Sequence, residues 1–286
     1  LIRLVFRGRE VVSARPLIMA IVNRTPDSFY DRGATFAEDR AIDAVRTAVA
    51  EGADIIDIGG VKAGPGTDVD AAEEIRRVVP FVARVRAEFP DLVISVDTWR
   101  HEVGTLACEE GADLLNDSWA GADPLLATVA ARFGAGYVCS HTGGQAPRTR
   151  PHRVSYPDIV GSVLDETIGT AERLVELGVP RAGILIDPTH DFGKNTWHGL
   201  ELLRRTRDLV ACGWPVLMAL SNKDFIGETL AAPVAERVDG TLAATAVAAF
   251  EGAAVFRAHQ VARTRQVLET VAALLPSESG RDVKAI

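Results

Sequence analysis

Glu51-Gly52-Ala53-Asp54-Ile55-Ile56-Asp57-Ile58-Gly59-Gly60 is the stretch that decides the fold. A glycine after a helical stretch and before a short apolar run reads as a left-handed helix end feeding a buried strand, because glycine takes positive φ without a Cβ clash. The phrase recurs as Glu110-Gly111-Ala112-Asp113 and Glu251-Gly252-Ala253-Ala254, with Gly134-Ala135-Gly136 a weaker copy. Repetition of this kind predicts repeated βα units.

The apolar runs are short, rich in β-branched residues and continuous rather than alternating, as parallel strands covered on both faces require. Eight are found: LIMAIVN ending at Asn23, DIIDIGG at Gly60, VISVDT at Thr98, LLND at Asp117, GYVCSH at His141, GILID at Asp187, PVLMAL at Leu220 and AAVFRAH at His259. Helix-start signals lie between them, among them the capping box Thr35-x-x-Glu38 and Asp123-Pro124. The expected fold class is therefore α/β: one (β/α)8 TIM barrel spanning 1–286, with a short hairpin over residues 1–15 plugging its bottom and a flexible tail over 276–286. The loop from Thr142 to Tyr156, with Arg148, Arg150 and Arg153, is the least regular part and reads as a mobile βα loop with a solvated charged surface.

The chain has 286 residues, 31 Lys plus Arg against 39 Asp plus Glu, a formal charge of −8 and 47% hydrophobic residues, which is globular and excludes a disordered chain. No run approaches the roughly 18 apolar residues of a spanning helix, so no membrane contact is expected. Arginines interrupt the opening Leu1–Arg7, which argues against a secretory segment and for a cytoplasmic protein. Cys108, Cys139 and Cys212 have no Cys-x-x-Cys spacing and read as packing residues rather than a disulfide framework or zinc site. The acidic balance weighs against nucleic acid and leaves a small-molecule ligand as the expectation.

Polar residues stand at the C-terminal ends of nearly all the strands: Asn23, Asp57, Asp97, Asn116, Asp117, His141, Asp187, Ser221 with Lys223, and Arg257 with His259. In a barrel these ends converge on one mouth, where active sites of the fold are built. Any one of them can serve as a helix cap. The set as a whole is harder to explain so, because capping has no use for Lys, Arg and two His on the same face. Asp97, Asn116, Asp187 and Lys223 suit a flat heterocycle with mixed donors and acceptors. Asn23, Arg257 and His259 suit an anion such as phosphate, with Mg²⁺ through the asparagine oxygen.

These segments resemble the dihydropteroate synthase family over about Pro16 to Leu275. The matching pieces are Asn23-Arg24-Thr25-Pro26-Asp27-Ser28-Phe29, Asp54 to Gly60, Ser95-Val96-Asp97-Thr98, Asn116-Asp117, Asp187-Pro188 with Phe192-Gly193-Lys194, Ser221-x-Lys223 and Arg257-x-His259. The resemblance implies condensation of 6-hydroxymethyl-7,8-dihydropterin pyrophosphate with p-aminobenzoate in a homodimer. It puts Asp97, Asn116, Asp187 and Lys223 on pterin-binding positions, Lys223, Asp97 and Asp187 being the catalytic ones if the chain is active. Asn23, Arg257 and His259 fall on pyrophosphate positions, with Asn23 also on the Mg²⁺ position. Phe29, Pro65, Phe192 and Ser221 fall on the p-aminobenzoate side. The helical stretches Trp197 to Cys212 and Thr241 to Gly252 are candidates for the dimer surface.

The sequence departs from the family in its loops. Gly-Gly-Glu-Ser-Thr-Arg-Pro-Gly is replaced by Gly59-Gly60-Val61-Lys62-Ala63-Gly64-Pro65-Gly66. Asp-Pro-Gly-x-Gly-Phe-Gly-Lys is replaced by Asp187-Pro188-Thr189-His190-Asp191-Phe192-Gly193-Lys194, and Ser-Arg-Lys by Ser221-Asn222-Lys223. One charged hydrogen bond contributes about 1.5–3 kcal/mol, so two lost arginines reduce binding or turnover roughly a hundredfold to ten-thousandfold. Lys62 and Arg24 are the nearest substitutes, and lysine replaces a bidentate arginine incompletely. The pattern resembles the divergent second paralogue that some actinobacteria carry beside a true synthase, and implies weak or absent synthase activity. The alternatives are an active synthase using Lys62, Arg24 and His190; a methyltetrahydrofolate-to-corrinoid methyltransferase; a non-catalytic pterin-binding or interaction partner; and an aldolase-like barrel with Lys223 as a Schiff-base lysine.

Overall fold

Arg7 and Gly8, both at positive φ (48° and 78°), turn β1 (Ile2–Phe6) back on β2 (Arg9–Ser13) as a two-residue hairpin. The computed structural model describes residues 1–25, 38–62, 64, 66, 68–149 and 155–275. Phe29, Pro65, Thr35, the Glu38 side chain, Arg150, Arg153 and the 276–286 tail lie outside the described residues.

The eight expected strands all form: β3 (Leu17–Asn23), β4 (Ile55–Gly59), β5 (Val93–Asp97), β6 (Leu114–Asp117), β7 (Gly136–Ser140), β8 (Ile184–Asp187), β9 (Leu217–Met218) and β10 (Val255–Ala258). They pair in parallel in the order β8-β7-β6-β5-β4-β3-β10-β9, and a bridge between Ile186 and Val216 brings the two ends together, giving a nearly closed barrel. The helices are α1 (Glu38–Ala50), α2 (Ala71–Glu88), α3 (His101–Glu109), α4 (Leu125–Phe133), α5 (Ile159–Glu176), α6 (Thr196–Arg204), α7 (Thr206–Val210), α8 (Asp224–Leu230), α9 (Val238–Phe250) and α10 (Val261–Leu274). The repeated glycines do what their position requires: Gly52, Gly111 and Gly252 sit at φ of 96°, 107° and 102°. Helix α4 starts at Leu125, whose N–H donates to the Asp123 carboxylate at 3.0 Å.

Strand alternation divides the core in two. One set of side chains, including Leu17, Met19, Ile55, Val93, Val138, Leu185, Leu217 and Val255, fills the barrel interior together with Leu4 and Phe6 of the hairpin. The other set, including Ile18, Ile56, Ile58, Ile94, Tyr137, Cys139 and Ile186, packs against the helices. The hairpin thus plugs the end opposite the strand C-termini. Gly183 allows its approach, since a Cβ there would lie 2.6 Å from the Val5 carbonyl oxygen. Arg7 fastens the turn by donating to the carbonyls of Cys108 (2.7 Å) and Ala112 (2.9 Å). Among the described residues, no helix is long and apolar enough to cross a membrane.

Candidate functional site

The interior alternation continues past the apolar layers, so the next inward residues are polar. Asp57, Ser95, Asn116 and Arg257 form a ring two residues above Ile55, Val93, Leu114 and Val255. Asp57 is its centre and is fully buried. It accepts from Ser95 Oγ at 2.6 Å, Asn116 Nδ2 at 3.1 Å and Arg257 Nε at 2.6 Å. Arg257 also donates through Nη2 to Asp97 at 2.8 Å, and Ser118 Oγ donates to the other oxygen of Asp97 at 2.8 Å. Burial raises the pKa of Asp97 to about 6; Arg257 opposes the shift and nearby Asp57 adds to it. Burial likewise raises Asp187, against the Thr189 N–H that donates to it at 2.7 Å and the nearby positive charges.

Above this ring opens a cavity of about 290 Å³. It gathers Asn23, Asp97, Phe192, Ser221, Lys223, Arg257 and His259, all singled out in the sequence, together with Lys62, Asp191, Asn222 and Asp224. Asn116 and Asp187 lie at the strand ends beside it, Asn116 being paired with Asp97 and Asp187 with Ser140 across the ladder. Ser221 Oγ lies 3.0 Å from His259 Nδ1. Burial, with Arg257 and Lys223 nearby, pushes the His259 pKa down to about 3, so the ring is neutral near pH 7. Lys223 Nζ pairs with Asp191 at 3.1 Å and lies 5.8 Å from the centre of the Phe192 ring. Phe192 stands edge-on to Trp119 at 4.7 Å. Lys194 reaches beneath the loop to donate to the carbonyls of His141 (2.8 Å) and Phe192 (2.9 Å), and burial lowers its pKa to about 7.

Four expectations change. Asp117 does not face the mouth: on the outward parity of β6, it accepts from Tyr137 Oη at 2.7 Å and from the N–H groups of Trp119 and Gly121. His141, on the parity of Tyr137 and Cys139, is buried beside α5, with Nε2 3.1 Å from Ser162 Oγ. Arg24 packs against α2, its guanidinium 4.9 Å from the centre of the Phe81 ring and its Nε donating to the Arg77 carbonyl at 3.4 Å. His190 is buried and stacked on Phe225 of α8 at 5.3 Å, neutral because burial lowers its pKa to about 3. Of the three substitutes for the missing loop arginines, only Lys62 lines the cavity. Asp57 stood among the strand-end residues without a role of its own. Its signal was register: it is two residues from Ile55, on the same inward parity.

The replaced loop positions carry visible consequences, Thr189 standing for a glycine and Asn222 for an arginine of the family motifs. Thr189 sits at φ 50° and Asn222 at φ 56°, a region that disfavours branched side chains and that asparagine tolerates better. Asn222 is 1% exposed, and neither atom of its side-chain amide has a hydrogen-bond partner.

Residues 19–259 match the family described as pterin binding enzyme. The chain is 62% identical over 271 residues to the "Inactive dihydropteroate synthase 2" of Mycobacterium leprae, covering 93% of each chain. Among solved structures, dihydropteroate synthase from Yersinia pestis in a sulfonamide drug complex superposes with a TM-score of 0.89 at 33% identity, over 95% of this chain and 98% of that one. Dihydropteroate synthase from Xanthomonas albilineans with 4-aminobenzoic acid gives 0.86 at 36% identity, over 96% and 99%. With its barrel, its polar mouth and these likenesses together, the chain belongs to the pterin-binding enzyme family, as a homologue of dihydropteroate synthase.

Proposed function

We propose that the mouth of this barrel keeps a cradle for a pterin-like heterocycle while synthase activity is weak or absent. The observation that carries this is the division between floor and rim. The floor retains Asp97, Asn116, Asp187 and Arg257, whereas the rim holds Thr189, Asp191 and Asn222 in place of residues that would approach an anionic ligand. In this reading Asp97, Asn116, Asp187 and Lys223 hold the heterocycle, and Asn23, Arg257 and His259 border its substituent. Phe192 and Ser221 border an aromatic amine such as p-aminobenzoate. The name of the Mycobacterium leprae relative supports loss of activity.

Condensation needs positive charge uncommitted enough to hold a departing diphosphate. Here Arg257 is already held by Asp57 and Asp97, and Lys223 by Asp191. Mg²⁺ fits poorly on its own: it prefers six oxygens and Asn23 supplies one. Among the described residues, the one cluster of three potential ligands is His101, Glu102 and Asp123, none of which lines the cavity. The ion would therefore enter only with a phosphate-bearing ligand. Assembly as a homodimer is supported by α9, whose Val247 and Phe250 are about half exposed, and sedimentation of the Phe250→Glu variant as a monomer beside a dimeric native chain would test it.

Incubation of the purified chain with 6-hydroxymethyl-7,8-dihydropterin pyrophosphate and p-aminobenzoate tests the main reading. Turnover at least a hundredfold below that of an authentic synthase is expected; comparable turnover would favour the active alternative, in which Lys62 alone replaces the lost arginine.

A further inference from the structure

Among the described residues, three carboxylates and three cations line the cavity: Asp97, Asp191 and Asp224 against Lys62, Lys223 and Arg257. Most are already paired. Arg257 holds Asp57 and Asp97, Lys223 holds Asp191, and Asp224 accepts from Arg237 at 2.7 Å. Asp57 and Asp187 add two more carboxylates beneath. Lys62 can meet one phosphate, but a diphosphate calls for more than one cation, so it would also have to draw Lys223 or Arg257 away from its carboxylate, leaving that carboxylate partly desolvated and unpaired. A neutral polar group meets no such obstacle. Asn222 stands in the same wall, its side-chain amide buried and unpartnered rather than committed to a charged neighbour.

We propose that Asp191 is a specificity-determining residue: by holding Lys223 it makes the cavity accept a flat heterocycle bearing an uncharged polar substituent and turn away the diphosphate ester of the same heterocycle. The proposal rests on the reading that the cavity takes a pterin-like ligand, and it adds which chemical form is taken. Asp191 and Lys223 are 27% and 22% exposed, so the pair is sheltered enough to bias ligand charge yet sits at the rim rather than in the core. The residue at 191 also stands where the family motif has glycine, so the carboxylate is an addition to the pocket.

Calorimetric titration of the full chain with 6-hydroxymethyl-7,8-dihydropterin and, separately, with its diphosphate ester tests this, on the native chain and on Asp191→Asn and Asp191→Gly. The native chain is expected to bind the alcohol at least tenfold more tightly than the ester, and both variants to shrink that ratio at least tenfold. A native chain that prefers the ester or binds both alike, or a ratio that neither variant moves, overturns the proposal and leaves the cradle standing. If neither ligand binds a native chain shown to be folded by circular dichroism, the cradle reading falls and the proposal with it.

Discussion

Asp57, Ser95, Asn116 and Arg257 stand on strands, whereas Thr189, Asp191 and Asn222 stand on the loops above them, and the two groups are held in different ways. In the inner ring every oxygen of Asp57 is engaged, and Arg257 spans two carboxylates. In the rim, Lys223 and Asp191 form a half-sheltered pair, and the Asn222 amide is left without partners. Strand register fixes the ring, so a change there disturbs the barrel. A loop residue can change with little effect on folding, which is where chemistry on this scaffold is altered. In the proposed reading, the division teaches that a barrel can weaken a reaction by changes at its rim while its floor is kept.

The largest effect is expected from breaking the ring. Asp57→Ala leaves Arg257 and Asn116 without their shared acceptor, and removing one partner of a buried ion pair costs about 3–5 kcal/mol. Urea unfolding should show a loss of that size; a loss under about 1 kcal/mol would mean that the ring is not a structural unit. The closed end serves as a comparison. Phe6→Ala empties the hairpin plug and should cost about 3 kcal/mol without touching the mouth, again read by urea unfolding.

Acid should act next. His141, His190 and His259 are buried, and burial, with neighbouring cations, lowers each pKa to about 3, against roughly 6.5 in the unfolded chain. The unfolded chain then binds more protons as pH falls below about 6.5, so stability drops in that direction. Asp97, raised to about 6, acts with the opposite sign between about pH 4 and 6, where the folded state holds a proton that the unfolded state lacks. Three histidines outweigh one aspartate. The expected loss from pH 7.5 to 5.5 is about 1 kcal/mol per histidine, partly offset by Asp97. Thermal unfolding of His190→Phe, which keeps an aromatic ring against Phe225, should lose less stability across that range than the native chain. An equal loss would remove His190 from the account.

The smallest effect is expected at the rim. Asp191→Asn breaks one partly exposed ion pair and should change stability by less than about 0.5 kcal/mol in urea unfolding. A loss of 2 kcal/mol would place Asp191 with the ring rather than against it.

Most of this division was legible in the sequence. The eight continuous apolar runs, most of them introduced by turn-forming glycines, became the eight strands because parallel strands need apolar residues on both faces. Asp97, Asn116, Asp187 and Arg257 were found because strand ends in a barrel face one mouth. Parity was harder to read, since it depends on where each strand's pleat begins. Asp117 and His141 end their strands as plausibly as Asp187 does, yet they point to the helices, and Asp57 lies deeper than a strand-end search looks. Arg24 follows Asn23 by one residue, and that single step turns it from the mouth to Phe81. The Asp191 pair with Lys223 joins residues 32 positions apart and leaves no trace in local pattern.

The most direct test restores the rim on the unaltered floor. A variant carrying Ala63→Thr, Gly64→Arg, Thr189→Gly, Asp191→Gly and Asn222→Arg should form 7,8-dihydropteroate at a rate at least tenfold above the native chain, which itself should show little or none. A folded variant no faster than the native chain would contradict the account, as would a native chain already turning over like an authentic synthase.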